Sequence, residues 1–302
     1  MKRTIIALSL LWVMSAQGQI LNVTSIEALN VNRQEDKIAQ AVAISPQGDY
    51  LLLSSDTKQG LIKMDLDTGQ QSVLSNAPGN GSDVRISNDG QQIVYGQVTY
   101  KDKRRQQSVK SIDLKTGKER TLVKPTRNLQ GFAVDDRTAV TRVDGKMKQH
   151  TLSKGAVTSS RPLLSHHHLK LYITVNDVTS QLAPNGADER YIWASLSPDG
   201  KRVLYYVSGQ GTFVCGLDGS NVIPMGNLTA PKWWDDNTIV GMNETDDEYS
   251  IIASAIVART LDGQEQVLTG ADVIATYPLP AAQAGKIAFS TPDGGIYIIT
   301  VD

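Results

Sequence analysis

The chain has 302 residues, 40% of them apolar and 20% charged, with 30 basic residues set against 31 acidic ones. That length suits one large closed β-architecture or two ordinary domains, and the balanced charge excludes the strongly basic surface that nucleic acid or an anionic membrane selects. A single cysteine, Cys215, rules out an intramolecular disulfide; between Phe213-Val214 and Gly216-Leu217 it reads as a small strand residue rather than a nucleophile.

Taken in order, the chain begins with Lys2-Arg3, the apolar run Thr4–Met14 and the small-residue stretch Ser15-Ala16-Gln17-Gly18. This reads as a cleavable export signal over residues 1–18, because the run is about half the length a membrane-spanning helix needs. Cleavage after Gly18 starts the mature chain at Gln19, with Ala16 as the other cutting point. No cysteine follows the run to take a lipid anchor, and no later stretch is long and apolar enough to span a bilayer. The expectation is a monomeric domain over residues 19–302, periplasmic or secreted.

The mature chain repeats one unit, an apolar strand, a tight turn and a second apolar strand. Its clearest copy is Tyr191–Tyr206, which turns at Ser197-Pro198-Asp199-Gly200. In such a turn the Ser hydroxyl bonds back to the backbone, Pro presets φ, and Gly takes a positive φ. Further copies are Ala41–Leu53, turning at Ser45–Gly48, and Asp83–Tyr95, turning at Ser87–Gly90. Weaker ones are Gly131–Val140, Ala230–Val240 and Ala275–Phe289. The second turn positions, Pro46, Asn88, Asp136, Pro198, Asp236 and Ala284, are 42, 48, 62, 38 and 48 residues apart. A four-stranded propeller blade takes about 40–50 residues, so all intervals but the third fit one blade each. After each unit come two more strands joined at an Asp-Gly or Asp-x-x-x-Gly turn, as in Leu61–Leu74, Val109–Val123, Phe213–Ile223 and Val257–Leu268. No segment sustains a helical period.

Together these units predict an all-β, six-bladed propeller. The overlong interval from Gly131 to Tyr191 leaves a seventh blade open. The final unit, Val273–Pro278, Lys286–Ser290 and Gly295–Val301, lacks a fourth strand, and Leu21–Val31 is strand-like and unassigned. The N-terminal strand is therefore expected to complete the last blade and close the ring, which removes exposed sheet edges.

The run Ser197–Tyr206, with its diverged copies at Ser45–Gly48 and Ser87–Gly90, resembles the WD40-like β-propeller repeat of TolB and of the propeller domains of prolyl-oligopeptidase-type peptidases. The likeness covers essentially all of residues 19–302 as a repeat signature. It departs from those proteins in containing neither the additional α/β domain of TolB nor a hydrolase domain, and it lacks the G-H and W-D pairs of true WD40 repeats. The resemblance implies an exported bacterial envelope propeller that binds another molecule.

The candidate chemistry is sparse. There is no G-x-S-x-G elbow and no H-E-x-x-H motif, and so no signature of a hydrolase or zinc protease. His166-His167-His168 would put at most two imidazoles on one strand face, short of a metal site; a solvated loop or strand edge is the plainer reading. No cofactor is expected. The acidic run Glu244–Glu248 has oxygen ligands suited to calcium, but it lacks the spacing and glycine of an EF-hand loop, and a solvated loop accounts for it. Gly209-Gln210-Gly211-Thr212 has no helix after it and reads as a hairpin rather than a dinucleotide loop.

Two long hairpins stand out. One, carrying Tyr100, Lys101, Lys103, Arg104 and Arg105, is basic; the other, carrying Asp246, Asp247 and Glu248, is acidic. Equivalent blades would place both on one face, an arrangement able to orient a charged partner; two ordinary long loops are the plainer reading. Trp193, Trp233 and Trp234 fall on inner strands, where interblade packing explains them and stacking on a ligand is the alternative. Among inner-strand residues only Asp83, Arg85 and Lys232 are obvious polar entrants to the channel. The expectation is a non-catalytic module that binds a protein or peptide through these two loops and the tryptophans. The alternative is a small-molecule or carbohydrate-binding propeller enzyme, lactonase- or lyase-like, with a site in the channel.

Overall fold

The computed structural model describes residues 19–31, 39–135, 137–155 and 161–302; the export signal proposed for residues 1–18 and the turn residue Asp136 lie outside them. The described chain is almost entirely strand, in seven small antiparallel sheets. Each sheet touches the next in chain order and the last touches the first, so the sheets form a ring.

Blade one comprises β2 (Ala39–Ile44), β3 (Tyr50–Ser55), β4 (Leu61–Asp65) and β5 (Gln71–Ser75); blade two comprises β6 (Val84–Ile86), β7 (Gln92–Lys101), β8 (Arg104–Asp113) and β9 (Lys118–Thr126). Blade three is β10 (Leu129–Asp135), β11 (Thr138–Val143) and β12 (Lys146–Thr151), and blade four is β13 (Leu163–His167), β14 (Lys170–Val175) and β15 (Val178–Leu182). Blade five runs β16 (Tyr191–Leu196), β17 (Arg202–Val207), β18 (Gly211–Gly216) and β19 (Ile223–Pro224), and blade six β20 (Thr229–Trp233), β21 (Thr238–Asp246), β22 (Ile251–Thr260) and β23 (Glu265–Val267). Blade seven is β24 (Thr276–Ala281), β25 (Lys286–Ser290) and β26 (Ile296–Val301), completed by β1 (Val23–Ala28).

The propeller thus has seven blades, the larger of the two counts the sequence leaves open. The overlong interval resolves into two blades of three strands each, three and four. The acidic hairpin accordingly belongs to blade six. Closure follows the sequence expectation: β1 pairs antiparallel with β26, from Val23 opposite Val301 to Ala28 opposite Tyr297.

The recurrent turns work as their residues dictate. The Ser197 hydroxyl donates to Asp199 at 2.6 Å and accepts the backbone N–H groups of Lys201 and Arg202 at 3.2 and 3.0 Å. Ser87 and Ser45 make the same kinds of bond, and all three serines are fully buried. Gly48, Gly90 and Gly200 take φ of 63°, 70° and 73°, where a side chain would clash with the backbone. Neighbouring turns are tied together by basic and amide side chains. Lys286 donates to the Gly48 carbonyl, Gln47 to that of Asn88, Arg161 to that of Ser197 and Arg202 to that of Asp236, each at 2.8 Å.

The hydrophobic core is divided among the blade interfaces. Apolar clusters fill the contacts between blades one and two, two and three, four and five, five and six, six and seven, and seven and one. The contact between blades three and four differs. There the side chain of Arg142 is buried and donates to the Ser165 hydroxyl at 3.2 Å, while its Nε has no partner among the described residues. Gly131 leaves room for this close approach, since a Cβ there would lie 3.3 Å from that of Ser165.

Candidate functional site

Two places combine exposure with unusual chemistry. The first is the face from which the long hairpins project. In blade two the inner strand starts at Val84 opposite Tyr95, yet β7 runs on to Lys101, paired with Arg104. Six residues at about 3.3 Å each carry that tip roughly 20 Å beyond the inner strand. In blade six Thr229 pairs with Met242 and β21 continues to Asp246, about 13 Å by the same measure. In the other five blades the second and third strands turn close to the level of the inner strand.

The tips differ in charge. Lys101, Lys103, Arg104 and Arg105 are exposed around Tyr100, itself 69% exposed; Asp102 and Lys103 form the two-residue turn, with φ of 51° and 61°. On the acidic tip Tyr249 is 94% exposed and Ile252 is 53% exposed. The Asp247 carboxylate accepts the backbone N–H groups of Ser250 and Tyr249 at 2.8 and 3.1 Å, and these bonds hold its pKa below the ordinary value. Asp246 likewise accepts the Glu248 N–H at 3.0 Å. These carboxylates build the turn. Among the described residues no three His, Cys, Asp or Glu side chains are placed to share a metal ion.

The second place is the channel. Arg85, His166 and Lys232 are each the penultimate residue of their inner strands, β6, β13 and β20. Their partners Val94, Leu171 and Val240 belong to the clusters shared with the following blade. The three side chains therefore occupy one level of the ring, in blades two, four and six. Asp83 pairs with Arg85 at 2.7 Å, and the guanidinium lies 6.0 Å from the centre of the Phe132 ring. The charges of Asp83 and Arg85 bear on both Lys232 and His166. Confinement, and then repulsion from Arg85, pushes the Lys232 pKa down to about 8, with Asp83 opposing. Confinement also lowers the His166 imidazole, although water reaches it in the channel.

Asp83, Arg85 and Lys232 are legible in the sequence as polar entrants, whereas His166 reads there as part of a solvated loop or strand edge. The signal was its distance from the turn, which shows only once blade four is recognised. His167 and His168 do not join it. Their rings meet edge-on at 4.2 Å, and His168 with Leu169 forms a two-residue turn with φ of 50° and 61°.

The tryptophans do not gather at the hairpin tips. Trp233 is buried between blades five and six, its indole N–H 3.4 Å from the Ser195 carbonyl, and Trp234 follows beside the turn at Asp235. Trp233 lies opposite Ile239, seven residues from Asp246, or about 23 Å along the strand. Trp193 meets the Tyr206 ring edge-on at 5.2 Å. It also breaks the two-residue alternation of a regular strand. A bulge separates Ile192 from Ser195, and Trp193 takes φ of 52°. Matching bulges place Ala230 and Tyr277 at 47° and 54° on the inner strands of blades six and seven, a strained conformation for residues with a side chain. Burial pushes the Cys215 thiol up to about 12, which makes it inert as a nucleophile.

By sequence the chain matches no family model and no curated protein. By structure it is similar to a chain of the mitotic checkpoint complex, with 10% identity over 99% of both chains and a TM-score of 0.60. It is also similar to a putative TolB from Agrobacterium tumefaciens, with 18% identity over 83% of this chain and 90% of the other and a TM-score of 0.52. An oligogalacturonate lyase in complex with manganese aligns over 86% of this chain and 76% of its own, at 15% identity and a TM-score of 0.48. The first two likenesses show the β-propeller fold, shared with the putative TolB.

Proposed function

We propose that the chain is a non-catalytic binding module of the bacterial cell envelope, exported and docking a protein or peptide on the face that carries the hairpins of blades two and six. The projection of these two tips above an otherwise level rim carries this reading. They are of opposite charge, and each presents an exposed tyrosine, the combination of electrostatic steering and aromatic contact on which protein interfaces draw. Their rigid spacing on the ring would fix the partner's orientation without ordering cost at the time of binding.

Photo-crosslinking in cells producing the chain tests this. A crosslinkable residue at Tyr100 or Tyr249 should capture a discrete protein, whereas one at Asp199, on the opposite face, should not. Reversing charge at Lys103, Arg104 and Arg105 should reduce the Tyr249 adduct as well as the Tyr100 one. Equal capture from both faces, or none from the tips, sinks the reading. Cell fractionation with N-terminal sequencing of the mature chain tests export separately.

A further inference from the structure

We propose that the channel level formed by Arg85, His166 and Lys232 binds the carboxylate or phosphate group of a small molecule. This site is separate from the hairpin face, and its test succeeds or fails independently of docking there.

Charge balance is the first argument. Three inner strands deliver an arginine, a lysine and a histidine to one level of the ring, and the carboxylate whose charge bears on them among the described residues, Asp83, is already engaged by Arg85 at 2.7 Å. A further guanidinium, that of Arg142, is buried in the neighbouring seam against Ser165, next in sequence to His166, and donates to the Ser165 hydroxyl, with its Nε unpartnered among the described residues. Bringing cations together in a confined space is unfavourable unless an opposite charge joins them. An anion seated between Arg85 and Lys232 would supply it.

Geometry is the second. Arg85 is held from two sides, by Asp83 and by its contact with Phe132, so part of its fork is fixed in advance for bidentate contact with an oxyanion. Lys232 offers a point charge from across the channel. Water reaches the side chains of Arg85 and Asp83, which are 50% and 41% exposed, so a small solute can enter. A pH dependence follows from Lys232, whose charge is felt by Arg85 and Asp83, and from His166, whose imidazole feels the same two groups. Lys232 loses its proton above about pH 8, so affinity falls there; below the ordinary histidine range His166 gains one, and affinity rises.

Calorimetric titration of the full chain with inorganic phosphate and, separately, succinate tests the proposal. At least one should bind with one-to-one stoichiometry near neutral pH, and whichever binds distinguishes a phosphate-bearing from a carboxylate-bearing ligand. Lys232→Met and Arg85→Gln should each weaken binding about tenfold or more, the loss of one charge-assisted contact. Asp83→Asn should tighten it, an effect that mere structural damage would not produce. Neutralising Lys103, Arg104 and Arg105 should leave it unchanged. Failure of both probes to bind, or binding that survives both Lys232→Met and Arg85→Gln, overturns the proposal; if one of these variants fails to fold, the other decides.

Discussion

Gln266 and Leu21 grip one another by a reciprocal pair of hydrogen bonds. The Gln266 side-chain carbonyl accepts the Leu21 N–H at 2.8 Å, and its amide donates to the Leu21 carbonyl, also at 2.8 Å. The same carbonyl accepts the Ile20 N–H at 2.7 Å. The residue belongs to the outermost strand of blade six, so blade six clamps the segment that leads into the closing strand of blade seven.

Gln266→Ala should therefore lower stability by about 1–3 kcal/mol, the range for stranding partly buried backbone groups. Denaturant titration checks this, and hydrogen exchange should show the loss concentrated in Val23–Ala28. An unchanged midpoint would mean the clamp contributes nothing.

Ser197→Ala removes a buried hydroxyl that serves two backbone N–H groups and the Asp199 carboxylate. A cost of about 1–3 kcal/mol is expected, while Lys201→Ala, whose side chain is largely exposed, should be nearly neutral. Thermal melts of the two variants side by side provide the comparison.

Lys232 gives a test with a definite sign. Its folded pKa of about 8 lies below its ordinary 10.5, so the unfolded chain binds the proton more tightly than the folded one. The penalty is complete below about pH 8 and fades as pH rises from there toward 10.5. Lys232→Met should then stabilise the protein near pH 7 by about 1–3 kcal/mol, with the gain dwindling by about pH 10.5. Melts across that range in an anion-poor buffer check it, and a destabilised variant at neutral pH would refute the assignment.

Among the described residues, the seam between blades three and four lacks the apolar cluster found at the other six interfaces. Amide exchange in Leu129–Asp135 and Leu163–His167 should be faster than in the inner strands of blades five and six, because sub-global opening starts where buried apolar contact is least. Uniform protection round the ring would contradict this.

The blades that were legible in the sequence are those whose turns have strong local chemistry. Ser45, Ser87 and Ser197, each three residues before a left-handed glycine, marked blades one, two and five at the correct residues. Blades three and four were hidden for a physical reason. The first turn of blade four is His168-Leu169, two residues in the left-handed region with neither Gly nor Pro, and each blade has three strands among the described residues instead of four. The closing strand was predictable because the last unit was visibly one strand short. The channel level was only partly legible. Arg85 and Lys232 stand out as charges in apolar strands, but His166 could be aligned with them only after its blade had been counted.

The pairing of Val23–Ala28 with Ile296–Val301 joins segments separated by nearly the whole chain, and this sets the order of assembly. During synthesis the first strand must wait, unpaired, until the last has been made. The six preceding blades can form from neighbouring residues, but the ring locks only through its most distant contact, where the entropic cost of loop closure is greatest. A slow final folding phase, sensitive to changes in either segment and indifferent to changes in blade three, is the kinetic signature this architecture imposes.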